Sequence, residues 1–166
     1  MSYAIVFSSL TGNTQMLAET IQNVLPKEEC MYFGKPNTEA LKADRIYVGS
    51  WTDKGRCSDE IVEFFKQVTD QEIFLFGTAG FGGGDAYFNQ ILDRIKKYIP
   101  ETASLVGSYM CQGKMPMSVR ERYVKMAQSP KPIPNMEKMI ENFDQALSHP
   151  NQEDLDKLKA IIKNEK

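Results

Sequence analysis

Histidine is almost missing from this chain of 166 residues: His149, in Ser-His-Pro, is the only one. Histidine-based metal clusters and Ser-His-Asp triads are thereby nearly excluded. Cysteine is scarce too. Cys30, Cys57 and Cys111 form no C-x-x-C pair, and an odd count argues against a disulfide framework. A reducing cytoplasm is the expected compartment. None of the three is followed by the x5-Arg of a phosphatase loop. No run of 18 apolar residues occurs, so no membrane span is expected, and no basic leader marks secretion. Lys and Arg are absent from Met1 to Pro26. A Walker A loop needs a lysine there, and a Rossmann turn needs G-x-G-x-x-G. Gly80-Phe81-Gly82 begins like the latter, but Asp85 stands at the third glycine. Gly107 to Lys114 has the wrong spacing for the former, and Met115 follows it.

What is present begins at Tyr3. Residues 3 to 7 are apolar and rich in strand formers, as in a strand buried on both faces. Leu17, Ile21 and Val24 then recur at helical spacing until Pro26. Between strand and helix lie Ser8, Ser9, Thr11, Gly12, Asn13 and Thr14. Hydroxyls, an amide and a glycine there surround the outward-pointing N–H groups of a helix start, which favour an anion. Without a cation, such a turn suits a compact monophosphate.

The chain continues as alternating strand and helix, with no linker or repeat. Strands are predicted at 29–33, 45–50, 72–77 and 104–110. A helix capped by Ser58 carries Ile61, Phe64, Phe65 and Val68; the next carries Phe88, Ile91, Leu92, Ile95 and Ile99. After the fifth strand only helices are expected: one with Val119 and Tyr123, one with Met136 to Leu147, and one capped by Asn151 with Leu155, Leu158, Ile161 and Ile162. Alternation of this kind implies a parallel sheet covered on both faces, with ligands bound beyond the carboxyl ends of its strands.

Two further loops meet there. The third-strand loop holds Ser50, Trp51, Thr52, Asp53 and Gly55. The fourth holds Thr78, Ala79, Gly80, Phe81, Gly82 and Gly83. Glycines beside one large ring suit backbone approaching a flat ligand. Asp53, Asp85 and Cys111 are the only acid–base candidates near these loops, and each also reads as a cap or packing residue. No catalytic residue is assigned.

Ser9-Leu10-Thr11-Gly12-Asn13-Thr14 resembles the phosphate loop of the flavodoxins, a family that binds FMN. The resemblance implies a flavodoxin-like doubly wound sheet of order 2-1-3-4-5, with residues 1–113 as the flavin-binding frame and 114–166 as a helical extension of one domain. It places the phosphate on the first loop and the flavin ring between the other two. Trp51 takes the stacking position, with Phe81 or Tyr87 opposite. More closely, the chain resembles small flavodoxin-domain proteins sharing Trp-Thr-Asp-Lys-Gly (51–55), Gly-Thr-Ala-Gly-Phe-Gly (77–82) and Met-Cys-Gln-Gly-Lys-Met-Pro-Met (110–117). Some of those are linked to bilirubin reduction, which implies a tetrapyrrole reductase as partner. The chain departs from the family in two ways. Thr52 stands where a glycine often follows the aromatic, and Lys54 and Arg56 bring positive charge to a usually acidic loop.

Net charge is −2, yet Arg94 to Lys131 holds eight basic residues against Glu101 and Glu121. That stretch reads as a solvated helical surface or as a face for an acidic partner, with Lys114, just beyond the fifth strand, expected near the flavin end of the sheet. Nucleic acid is not expected. The function implied is an FMN electron carrier serving a flavoprotein reductase and an acceptor. The alternatives are an FMN-dependent NAD(P)H reductase of a quinone- or tetrapyrrole-type molecule, an accessory subunit of one, and a flavin-free interaction domain.

Overall fold

A computed structural model describes residues 1–81, 84–130 and 134–164. Five strands run in parallel: β1 Tyr3–Ser8, β2 Cys30–Gly34, β3 Arg45–Trp51, β4 Glu72–Ala79 and β5 Ser104–Gln112, in the order β2-β1-β3-β4-β5. Six helices accompany them: α1 Asn13–Val24, α2 Asp59–Phe65, α3 Asp85–Lys96, α4 Met117–Ala127, α5 Met136–Ala146 and α6 Gln152–Asn164. The architecture is the flavodoxin-like one expected, with helices on both faces and additional C-terminal helices.

Side chains alternate across the pleat and build two cores. Ala4, Val6, Ile46, Val48, Ile73 and Leu75 face one way, against Ile61, Phe64 and Phe65 of α2 and Ile91, Leu92 and Ile95 of α3. Tyr3, Ile5, Phe7, Tyr47, Phe74 and Phe76 face the other, against Leu17 and Ile21 of α1 and Leu158 and Ile162 of α6. The last helix therefore completes the layer that α1 begins. Burying each of its two aliphatic side chains contributes about 1.5–3 kcal/mol. By contrast, α4 has no buried residue. It rests against α5, where the Arg120 guanidinium donates to both Asp144 oxygens at 2.9 and 3.3 Å.

The structure differs from the sequence expectation in local ways. β4 and β5 each run two residues past their predicted ends, because Thr78 and Ala79 pair with Cys111 and Gln112. Ser58 does not cap α2 with its hydroxyl, which is buried without a partner. The Ser58 N–H instead donates to Ser50 Oγ at 2.9 Å, pinning the segment to β3. Asn151 does cap α6: its Oδ1 accepts the Asp154 N–H at 2.9 Å.

Candidate functional site

The turn between β1 and α1 is shaped by Gly12, whose φ of 91° a β-carbon would strain. Ser9 Oγ accepts the N–H groups of Gly12 and Gln15 at 3.2 and 3.4 Å. The N–H groups of Asn13 and Thr14, in the first helical turn, have no intrahelical partner. The Thr14 side chain turns inward and lies 3.5 Å from the Thr78 hydroxyl, tying the helix start to the end of β4. Asn13 is buried, and its Oδ1 has no partner.

Trp51 ends β3 opposite Thr78. The Thr52 hydroxyl donates to the Thr78 carbonyl at 2.8 Å, and Ser50 Oγ donates to the Trp51 carbonyl at 2.7 Å. Asp53 and Arg56 close a tight turn with main-chain bonds of 2.7 and 3.1 Å, over Lys54 and Gly55, both at positive φ. Arg56 reaches the start of α2. Its guanidinium meets Asp59 at 2.7 Å and lies 5.6 Å from the Tyr98 ring centroid.

In the fourth-strand loop, Ala79 is buried in the core beneath α3, and Phe81 stands exposed with its ring edge-on to Tyr87. The Gly80 carbonyl accepts from Gln112 Nε2 at 3.2 Å and from Asn142 Nδ2 at 2.9 Å. Gly82 and Gly83 lie outside the described residues.

Thr11, Asn13, Trp51, Thr52, Thr78 and Gly80 line one shallow groove of about 60 Å³. Among the described residues Ser8, Ser9, Gly12, Thr14, Ser50, Asp53, Gly55, Ala79 and Phe81 do not line it. Its other wall is Gly113-Lys114-Met115-Pro116; the sequence places Lys114 at this end of the sheet, facing a partner, but gives the segment no part in lining the groove. The Lys114 carbonyl accepts from Asn13 Nδ2 at 2.8 Å and from the Thr11 hydroxyl at 3.3 Å. The Lys114 N–H donates to the His149 carbonyl at 3.0 Å, and His149 Nδ1 lies 2.6 Å from Asp154. Asn142 and His149 were also missed. Each touches the site through a main-chain atom of another residue, which leaves no motif.

The groove's chemistry is that of a binding site. Lys114 is the one charged residue among its described lining residues. Asp53 is engaged in its turn and Asp85 opens α3. Cys111 faces the core shared by α1 and α6, where burial and the Asp154 charge push its thiol well above the usual range. No cluster of residues able to hold a metal occurs among the described residues. A larger cavity of about 350 Å³, at the amino-terminal strand ends, is lined by Tyr3, Leu25, Arg45 and Tyr47 and holds none of the expected residues.

A family model described as Flavodoxin domain matches residues 4–163. The flavodoxin-like domain-containing protein BilS of Clostridium symbiosum (strain WAL-14163) is 41% identical over an alignment of 172 positions, gaps included, that covers 93% of this chain and 90% of that protein. Among solved structures, oxidised Flavodoxin 2 from Bacillus cereus has a TM-score of 0.62 at 16% identity, covering 99% of this chain and 97% of that one. A flavoprotein from Lactobacillus acidophilus, solved in complex with FMN, has a TM-score of 0.51 at 14% identity, covering 66% and 92%. These last two likenesses concern the fold. The family match over nearly the whole length and the close relative are decisive: the chain belongs to the flavodoxin domain family.

Proposed function

We propose that this protein is an electron-transfer flavoprotein that carries electrons between redox partners on one bound FMN. The observation that carries the reading is the convergence, at the carboxyl ends of β1, β3 and β4, of a cation-free helix start, an indole and a threonine–glycine loop in one groove. FMN is the cofactor of the family, and the residues fit it. First-turn N–H groups of α1 suit a phosphate. Asn13 Oδ1, buried and unpartnered, is an acceptor that suits a ribityl hydroxyl. Trp51, half-buried at the groove, offers a face for the flavin ring. When bound, FMN supplies the redox chemistry. The chain's residues bind it, orient it and set the charge around it.

A carrier needs no general acid, and none of Asp53, Asp85 and Cys111 lines the groove. The donor in this reading is a separate flavoprotein reductase. The acceptor class we infer, from the resemblance of residues 51–55, 77–82 and 110–117, is a reductase of a tetrapyrrole. Among the described residues no helix is long and apolar enough to cross a membrane, and the three cysteines are free. Both facts suit the reducing cytoplasm.

Titration of the purified protein with FMN and with riboflavin tests the cofactor. FMN should bind with quenched fluorescence and far more tightly than riboflavin, and Thr11→Asp should abolish binding by setting a carboxylate against the phosphate. Equal affinity for the two flavins would sink the phosphate assignment. Stopped-flow mixing then separates carrier from enzyme. Reduction by NADH or NADPH alone at roughly 1 to 10³ per second would make the protein a reductase instead.

A further inference from the structure

We propose that Lys114 supplies the positive charge that the phosphate loop lacks, so that this residue sets the preference for a phosphorylated flavin. The inference rests on the FMN reading above. A phosphate monoester carries close to two negative charges at neutral pH, yet residues 1 to 26 contain no Lys or Arg. Uncharged N–H and hydroxyl groups must then hold it, unless a cation comes from elsewhere in the fold.

Lys114 is placed to be that cation. It is the one charged residue lining the groove among the described residues, and it shares that groove with Leu10, Thr11 and Asn13 of the phosphate loop. Its main chain is fixed from both sides. The N–H donates to the His149 carbonyl at 3.0 Å, and the carbonyl accepts from Thr11 and Asn13. The preceding Gly113 donates to the Ala79 carbonyl at 3.0 Å, and Met115 packs against Gly80. The side chain itself is exposed and forms no ion pair among the described residues. Other nearby cations are held differently. Arg56 is committed to Asp59, and Lys54 sits in the Asp53–Arg56 turn outside the groove lining.

Because every bond that places Lys114 uses its main chain, substitutions of the side chain leave the scaffold intact. The experiment compares dissociation constants for FMN and riboflavin in the full-length wild type, Lys114→Gln, Lys114→Arg and Lys114→Glu. Lys114→Gln should lower the preference for FMN over riboflavin roughly tenfold, the scale for an exposed ammonium a few ångströms from a doubly charged group. Lys114→Arg should keep the preference, and Lys114→Glu should lower it further. Added salt should erode the wild-type preference more than that of Lys114→Gln. A wild type that binds neither flavin, or both equally, overturns the FMN reading itself. A wild type that discriminates, beside a Lys114→Gln variant that discriminates as well, overturns only the role of Lys114. Equal weakening of both flavins by Lys114→Gln also overturns it, since the charge would then act on the ring.

Discussion

Gly113 has no room for a side chain. A β-carbon there would lie 2.6 Å from Asn13 Nδ2 and 3.0 Å from Thr78 Cβ, so Gly113→Ala must displace the Asn13 amide from the Lys114 carbonyl or shift the β5 exit. Overpacking of this kind costs about 1–3 kcal/mol. The variant should therefore melt earlier and lose FMN affinity; unchanged melting and binding would mean that the two loops move freely. Trp51 is tested by truncation. Trp51→Ala should weaken FMN by about 1 kcal/mol beyond the lost area and restore flavin fluorescence. The buried thiols make a third residue-scale expectation. Burial pushes Cys57 from 9.0 up to about 11 and holds Cys111 above its ordinary value as well. The unfolded chain then releases these protons first. Their stabilising contribution is complete below pH 9 and is lost as pH rises through the folded-state value, at up to about 1.4 kcal/mol per pH unit for each thiol. Urea midpoints that do not fall between pH 8 and pH 10 would contradict this.

At the scale of elements, the C-terminal helices divide into one that the core needs and two that lean on it. α6 covers the sheet beside α1, and Leu158 and Ile162 are completely buried. Leu158→Ala should cost about 2–5 kcal/mol, as other buried truncations do. Lys157, on the same helix and exposed, should tolerate alanine without a measurable shift in the melting midpoint. We propose on this ground that residues 114–166 and the flavin-binding frame form one folding unit. α4 and α5 have a different role. Asn142 of α5 holds the Gly80 carbonyl, and the turn after α5 holds Lys114 through His149. Two loops of the groove are thus braced by helices that come after the last strand.

For the whole molecule, charge distribution matters more than net charge. Twenty basic residues nearly balance twenty-two acidic ones, but the basic stretch from Arg94 to Lys131 includes Lys114 at the groove. Arg120 is neutralised by Asp144. Arg122 and Lys125 are exposed on α4, beside Glu121, and enter no ion pair among the described residues. An acidic partner approaching the groove would meet Lys114. Its electron-transfer rate should fall as salt is added, because screening shortens the reach of steering charges. Stopped-flow rates with a flavoprotein reductase, measured from low to high ionic strength, check it; a rate indifferent to salt would remove the steering.

The sequence by itself determined the strand–helix alternation, because a buried parallel strand must be apolar throughout and a surface helix must repeat its apolar residues every three or four positions. The turn proposed to bind an anion was also legible there, since Ser9, Thr11, Gly12 and Asn13 lie close together in the chain and their chemistry is local. Tertiary structure alone decided which loop residues meet. Thr11, Trp51 and Gly80 come together only because β1, β3 and β4 are neighbours in the sheet. It decided that the Ser58 hydroxyl would not cap α2, and it tied the Ser58 N–H to Ser50 Oγ of β3. It decided, too, that Arg56 turns toward Asp59 and Tyr98. Above all it set Lys114 against the phosphate loop. On its own side the bonds that hold it there use only main-chain atoms, which every residue possesses, so its side chain could not announce them.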